Sequence, residues 1–333
     1  MNVTRYFLLL CYLACATAVG AQRTPSFDYT GRDPLAGYAN HDSWLTPADT
    51  FHPGRFYTAA GTGAILYSAA TYGLYDIWYK EYATVGLRSF DDWGEWNQMD
   101  KAGHFYSAYM YSRHAFAGLR WAGLKRPVAR YTALGVANLL QGTIEVFDGY
   151  SEEWGFSWTD MGANLAGSLV FTLQDIAWKE QRILVKVSND FRPHPDIPVS
   201  RGEHTSNVGY VSRLRFGDYP FERTIKDYNA MTFWLSVNPA SFFPKSPLPD
   251  WLNIAVGYGS ENVYGAYFNS WRDAAGNGFN YGPERYRQWA LSPDIYFSRI
   301  PTRKRWVRLV LGILDSIKRP APALEYSKGK FSG

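Results

Sequence analysis

Three short motifs of polar residues interrupt an apolar and aromatic stretch of this chain. They are Asp100-Lys101-x-x-His104, Glu145-x-x-Asp148 and Asp160-x-x-x-Asn164. Within each motif, polar residues recur three or four positions apart, which places them on one face of a helix. A histidine beside several carboxylates suits either general acid–base chemistry or the binding of a divalent cation.

The first functional hypothesis is catalysis at this set of residues. It assigns proton transfer to His104, Glu145 and Asp160, with His104 as the general base and the two carboxyl groups as its partners. Lys101 and Asn164 would then bind the ligand, because an ammonium and an amide supply hydrogen-bond donors to a polar group.

The second hypothesis is a metal site, and the third is a purely structural role. A divalent metal ion would be held by Asp100, His104, Glu145 and Asp148, and no other cofactor is indicated. In the structural alternative, the same side chains are helix caps and buried ion pairs that fix the register of the helices.

These motifs need helices to bring them together. The sequence predicts helices over 57–75, 100–123, 127–147 and 159–179, with Gly149 ending the third and Ser157 or Thr159 capping the fourth. The connections among the last three helices are short, so consecutive helices should be antiparallel. One end of the bundle should therefore bring together the two helix starts, at Asp100 and Asp160, and the helix end at Glu145.

The character of the sequence changes after residue 180. A polar, proline-rich segment predicts a linker over 181–204, and strand-like runs follow at 231–237, 252–258 and 288–297. Residues 304–318 form a basic amphipathic pattern, typical of a helix that docks on its own domain or lies on an anionic membrane.

The expected fold class is α+β. A small bundle of about four helices over 55–180 is followed by a β-rich aromatic region with a terminal amphipathic helix over 205–333.

The N-terminus predicts export. Residues 1–21 have a basic start, an apolar run and small residues at a cleavage position, as in a signal peptide, and 22–54 should form an extended arm. Cys11 and Cys15 are the only cysteines, so the mature chain would have neither a disulfide nor a cysteine metal site.

The composition restricts the partners. The net charge of +4 does not favour nucleic acid, whereas 17% aromatic residues suit contact with membrane lipid, envelope glycan or an envelope protein.

At its polar motifs the chain resembles the DUF2279 family, which includes the YfiM-like predicted periplasmic lipoproteins and is distantly similar to VanZ-like membrane proteins. The family pattern Asp-Lys-x-x-His, Glu-x-x-Asp and Ser-x-x-Asp falls here on 100–104, 145–148 and 157–160. The tail, with Asp227-Tyr228-Asn229 and 232–238, resembles the long version of the family found in Bacteroidetes. Tyr12-Leu13-Ala14 before Cys15 departs from the lipobox of the lipoprotein members.

The resemblance implies an envelope location, in the periplasm or associated with the outer membrane. We expect a membrane-associated accessory protein, or a protein that binds an ion or ligand at its polar cluster. The alternative is a hydrolase or transferase that acts on an envelope lipid or glycan through His104 with Glu145 and Asp160. A third possibility, a transport component, would require 57–75 and 128–146 to span a membrane.

Overall fold

A computed structural model describes residues 44–332 except 46, 49, 81, 191 and 244. The predicted signal peptide, 1–21, and residues 22–43 of the predicted arm lie outside the described residues. Four main helices occupy the N-terminal half of the described chain: α1 (Pro53–Leu74), α2 (Met99–Trp121), α3 (Arg126–Tyr150) and α4 (Trp158–Ala177). No helix in the described part of the chain is both long enough and apolar enough to cross a membrane.

Small residues let α2, α3 and α4 pack closely. Ala129, Ala133 and Ala137 are fully buried at four-residue intervals along α3. In α4, a Cβ on Gly167 would lie 2.0 Å from the carbonyl oxygen of Phe105, so only glycine fits there. The bundle core is completed by larger side chains from α2 and α4: Tyr109, Met110, Phe116 and Phe171.

The third helix does not end at Gly149, as the sequence had predicted, but continues to Tyr150. Gly149 is buried, and a Cβ there would lie 2.6 Å from Leu87 Cδ1. This glycine therefore allows the loop before α2 to pack closely against α3, and it does not break the helix.

The first helix stands apart from the other three. None of the residues of α1 is buried, and an added Cβ on Gly61, Gly63 or Gly73 would meet no atom within 4 Å. One end is held where the His52 amide donates to the Ala122 carbonyl at 2.9 Å. A π-helical turn, Tyr75–Tyr79, carries the chain away from the other end.

The second half of the chain is built on antiparallel strands. The strands are β1 (Ile183–Asn189), β2 (Pro198–Arg201), β3 (His204–Asn207), β4 (Met231–Val237), β5 (Leu252–Glu261), β6 (Ser270–Arg272), β7 (Gly278–Asn280), β8 (Tyr286–Ile295), β9 (Leu324–Ser327) and β10 (Lys330–Ser332). The main sheet has six strands in the order β1-β4-β5-β8-β9-β10, and two small sheets pair β2 with β3 and β6 with β7. The short helices are α5 (Val208–Phe216), α6 (Pro220–Lys226), α7 (Pro239–Phe242) and α8 (Arg305–Leu314).

The α+β class is confirmed, and strands lie at all three predicted runs. The linker predicted over 181–204 is corrected, because Ile183–Asn189 forms strand β1 and pairs with β4. The prolines at 193, 195 and 198 dominated that prediction, although they follow an apolar, β-branched run.

The terminal helix α8 is shorter than the predicted 304–318. It ends before Asp315, whose carboxylate accepts a hydrogen bond from the Phe297 amide at 2.7 Å and pairs with Arg113 Nη2 at 3.2 Å.

Candidate functional site

The three polar motifs meet where α2 begins, α3 ends and α4 begins. At the centre, Lys101 Nζ lies 2.5 Å from Asp92 Oδ2, 3.1 Å from Asp100 Oδ2 and 3.0 Å from Asp160 Oδ1. Burial lowers the pKa of Lys101, but Asp100 and Asp160 raise it more, so that the pKa lies above its ordinary value. The ammonium is therefore charged and is held by three carboxyl groups.

Two of these carboxyl groups titrate in opposite directions. Burial raises the pKa of Asp92, but hydrogen bonds with Asp160, Lys101 and two hydroxyls lower it to about 2. Ser157 Oγ and Thr159 Oγ1 both donate to Asp92 Oδ1 at 2.7 Å. Burial, followed by the charge of Asp100 and the contact with Asp92, raises the pKa of Asp160. Asp92 is thus the more readily ionised of these two carboxyl groups beside Lys101, and Asp160 is the one that holds a proton more readily.

The imidazole of His104 faces different groups with its two nitrogens. Its Nδ1 lies 3.1 Å from Asn164 Oδ1 and 3.5 Å from Glu145 Oε1, whereas its Nε2 lies 3.7 Å from Asp100 Oδ1. Gln141 Nε2 donates to Asn164 Oδ1 at 2.9 Å and fixes the amide beside the ring. A histidine oriented through one nitrogen can exchange a proton through the other.

Two carboxyl groups at the end of α3 are protonated more readily than usual. Burial and the nearby Asp148 raise the pKa of Glu145 to about 8. Burial raises the pKa of Asp148 to about 7, against a hydrogen bond of 2.6 Å from the Tyr79 hydroxyl. Both groups can therefore gain or lose a proton near neutral pH.

The start of α4 is capped by Ser157, which resolves the choice between Ser157 and Thr159. Ser157 Oγ accepts from the Asp160 amide at 3.0 Å and also donates to Asp92. We expect Ser157→Ala to lower the free energy of unfolding by about 1–2 kcal/mol, as for other lost caps. Urea denaturation measures the change. Ser157→Thr keeps the hydroxyl and should behave as wild type, and an equal loss in both variants would contradict the capping role.

A long cavity opens beside these residues. Its volume is about 2460 Å³, and its walls include Asp100, His104, Gln141, Asp148 and Asp160. We call the residues around Lys101 and His104 the polar cluster: Asp92, Asp100, Lys101, His104, Gln141, Glu145, Asp148, Asp160 and Asn164. The cluster is therefore one wall of an accessible space and is not sealed within the protein.

The hydrogen bonds of the polar cluster are incomplete. Among the described residues, Gln141 Oε1, Glu145 Oε1 and Asn164 Nδ2 are buried and have no hydrogen-bond partner. Buried polar atoms without partners are costly in a network that serves stability alone. These three atoms are therefore available for further hydrogen bonds at the cluster.

The predicted metal ligands are brought together only in part. One ligand atom each of Asp100, His104 and Asp160 lies within 4.8 Å of the others, whereas Asp148 is engaged by Tyr79. Of the four predicted ligands, Asp100 and His104 are in this group, Glu145 and Asp148 are not, and Asp160 joins it. The ammonium of Lys101 already contacts both carboxyl groups of this trio, and a bound cation would compete with it.

Every residue of the three motifs lies in or beside the polar cluster, but their roles remain predictions. The sequence reasoning missed Asp92, Gln141 and Tyr79. Gln141 stands four positions before Glu145 on the same face of α3, so helical spacing could have found it. Asp92 and Tyr79 lie outside the bundle helices α2–α4. No helical spacing of polar residues therefore connects them to the motifs.

The segment that contains most of the polar cluster is similar to a known family. Residues 90–175 match the family described as "Predicted periplasmic lipoprotein (DUF2279)". The match spans α2, α3 and most of α4, includes all three motifs and confirms the resemblance to DUF2279. The description agrees with the predicted location of an exported protein, in the periplasm or at the outer membrane. Searches of curated proteins and of solved structures found no match.

Proposed function

We propose that this envelope protein binds an amphiphilic molecule, with the polar head at the polar cluster and the aliphatic part in the long cavity. The observation that carries the proposal is that one space joins a wall of carboxyl groups to an uncharged wall of helices. Sites for small molecules are mostly apolar with a few convergent polar groups, and this cavity has that composition.

The uncharged wall is long enough for an aliphatic chain. The cavity follows α2 from Asp100 to Gly118, about 27 Å at the helical rise of 1.5 Å per residue. A single acyl chain spans about 15 Å, half of a bilayer core of about 30 Å. Facing α2, the stretch of α1 from Phe56 to Tyr75 contains no charged residue.

The polar wall selects a head that donates hydrogen bonds. Asp100, Asp148 and Asp160 line the cavity, and beside them the buried oxygens Gln141 Oε1 and Glu145 Oε1 have no hydrogen-bond partner among the described residues. Buried acceptors without a partner are costly. An ammonium with N–H groups or a head with several hydroxyls would satisfy them. Phosphatidylethanolamine and phosphatidylglycerol provide such heads, whereas the trimethylated ammonium of phosphatidylcholine has no hydrogen-bond donor.

Filling the cavity from the side of α1 should abolish binding without harming the fold. Gly63 and Gly73 both line the cavity, and leucine at either position would project into open space. We expect the Gly63→Leu/Gly73→Leu variant to bind phosphatidylethanolamine carrying an acyl-chain fluorophore at least tenfold more weakly. The same variant should be more stable, because glycine inside a helix costs about 0.5–1 kcal/mol. Fluorescence titration and thermal melting measure the two effects.

Gly61→Leu is the matched control, since Gly61 belongs to the same helix, has equally open surroundings and does not line the cavity. It should keep the affinity of wild type. Unchanged binding by the double variant would contradict the placement of the aliphatic part in the cavity. Equal binding of the fluorescent phosphatidylcholine and phosphatidylethanolamine would contradict the selection of a head that donates hydrogen bonds. Failure of wild type to bind any labelled lipid would sink the whole proposal.

A hydrolase or transferase that acts on the same class of molecule is the second candidate. The observation that favours it is the orientation of His104, with Nδ1 beside Asn164 and Glu145 and the ring at the cavity wall. In the same assay, conversion of the labelled lipid by wild type but not by Glu145→Gln would select this candidate. Binding without conversion would select the binding protein.

A further inference from the structure

The main sheet is polar on the face that it buries. Lys186 Nζ pairs with Asp294 Oδ2 at 2.7 Å, and both side chains are almost completely buried. Ser236 Oγ donates to the same Asp294 oxygen at 2.6 Å, and Lys318 Nζ donates to Ser292 Oγ at 3.0 Å. An antiparallel sheet with one solvated face normally buries its apolar side. Strands β5 and β8 of this sheet have the opposite arrangement, with Asn253, Ser292 and Asp294 buried.

An aliphatic row crosses the other face. Leu235, Val256, Leu291 and Leu324 are direct cross-strand neighbours on β4, β5, β8 and β9. They are 45%, 45%, 47% and 50% exposed, respectively. Helix α2 covers this face only near β1 and β4, where Val185 and Phe233 are buried. Beyond that cover, the apolar face continues across the sheet without a partner in the described chain.

An aromatic row lies two residues further along the strands, about 7 Å away. It is formed by Tyr258, Trp289, Tyr326 and Phe331 on β5, β8, β9 and β10. Tyr258 packs against the buried residues under α2, and the other three extend beyond that cover. Trp289 is 49% exposed and Phe331 71% exposed. The next residue of β8 on this face is Arg287, whose guanidinium lies against the Tyr258 hydroxyl at 3.2 Å. None of these side chains lines the long cavity.

We infer that this apolar face of the sheet binds the surface of a lipid bilayer. Along the strands, the exposed residues change from aliphatic to aromatic to basic. The same order of residue types is found from the hydrocarbon core of a bilayer outward to its phosphates. Tyrosine and tryptophan concentrate where hydrocarbon meets headgroups, and arginine lies further out among the phosphates. Contiguous apolar patches of this kind on soluble proteins mark interaction sites. This inference does not depend on the proposed function, because it concerns another surface.

The polarity of the sheet argues for lipid over a second copy of the chain. Two such faces packed together would bury the aromatic row beside Arg287, whose charge would then need a partner. A bilayer leaves that guanidinium at the level of the phosphates while the aliphatic row enters the hydrocarbon.

The inference is tested by flotation of the full chain with vesicles of phosphatidylethanolamine and phosphatidylglycerol. Val256→Thr/Leu291→Thr/Leu324→Thr replaces three exposed residues by one that keeps strand propensity. We expect its partition onto vesicles to fall at least tenfold with an unchanged circular dichroism spectrum. Leu139→Thr is the matched control, since Leu139 is 70% exposed on α3 and lines neither the sheet face nor the long cavity. Its partition should equal that of wild type.

A single labelled site gives a second measurement that does not need the triple variant to fold. Cys11 and Cys15 are the only cysteines and fall in the predicted signal peptide. In the chain from residue 22 onward, Leu291→Cys can therefore carry an environment-sensitive fluorophore, with Asn280→Cys as the exposed control. Vesicles should increase the emission at position 291 and leave position 280 unchanged. Equal flotation of the triple variant and wild type would overturn the inference. So would a wild-type dimer that ignores vesicles and dissociates in the triple variant, since a second copy would then cover the face.

Discussion

Replacing Lys101 with methionine should lower the free energy of unfolding by about 3–5 kcal/mol, the usual cost of removing one partner from a buried ion pair. The ammonium is 7% exposed and is the only cation that the described structure places within 4.0 Å of Asp92 or Asp160. Methionine fills nearly the same space but leaves the ionised Asp92 uncompensated. Urea denaturation at neutral pH measures the loss.

Lys80→Met is the control, because Lys80 forms an exposed pair with Asp76 on the surface. Exposed pairs contribute little, so this variant should be indistinguishable from wild type. If Lys101→Met were as stable as wild type, the polar cluster would be held together by its neutral hydrogen bonds. The charge assignment made for Asp92 would then be wrong.

Stability should fall as the pH rises from about 4.5 to about 8, and Glu145 is one cause of this fall. Burial and Asp148 raise its folded-state pKa from 4.5 to about 8. The folded protein therefore binds this proton more tightly than the unfolded chain does. For a raised acid, the stabilisation is complete below the unfolded pKa and is lost as the pH rises to the folded pKa. At 1.36 kcal/mol per pKa unit, Glu145 contributes on the order of 4 kcal/mol to the change.

Glu145→Gln should flatten this pH dependence, since the amide cannot ionise and its oxygen can still accept from the Ser157 amide. The measurement is the free energy of unfolding from urea titrations at several pH values across the window. A smaller slope of the same sign should remain in the variant, because burial also raises the pKa values of Glu95 and Asp148 to about 7 and raises the pKa of Asp160. A variant with the full wild-type slope would show that Glu145 is ionised in the folded state.

The bundle end could be predicted because helical spacing and short connections determine it. Asp100, Glu145 and Asp160 each lie at a helix end, and the connections among α2, α3 and α4 leave few ways to arrange those ends. Strands β4, β5 and β8 could also be predicted, since alternation of apolar and polar side chains is typical of a half-buried strand. Local sequence patterns were therefore sufficient to predict these helices and strands.

The other features depend on distances that no local pattern encodes. Asp92 reaches Lys101 from a loop, and Tyr79 reaches Asp148 across 69 positions of the chain. The cavity exists because α1 stands away from α2, and the charge-free sequence of α1 is equally typical of a tightly packed helix. Strand β1 was not predicted, because the prolines that follow it made the whole segment look like a linker.

The loose attachment of α1 has a consequence for exchange of the cavity's contents. A helix of 22 residues without a buried side chain gains little from burial, so its detachment should cost far less than global unfolding. Local opening of this kind occurs while the rest of the fold remains intact. An occupant could therefore enter or leave by transient release of α1, and its residence time would be governed by the kinetics of one helix.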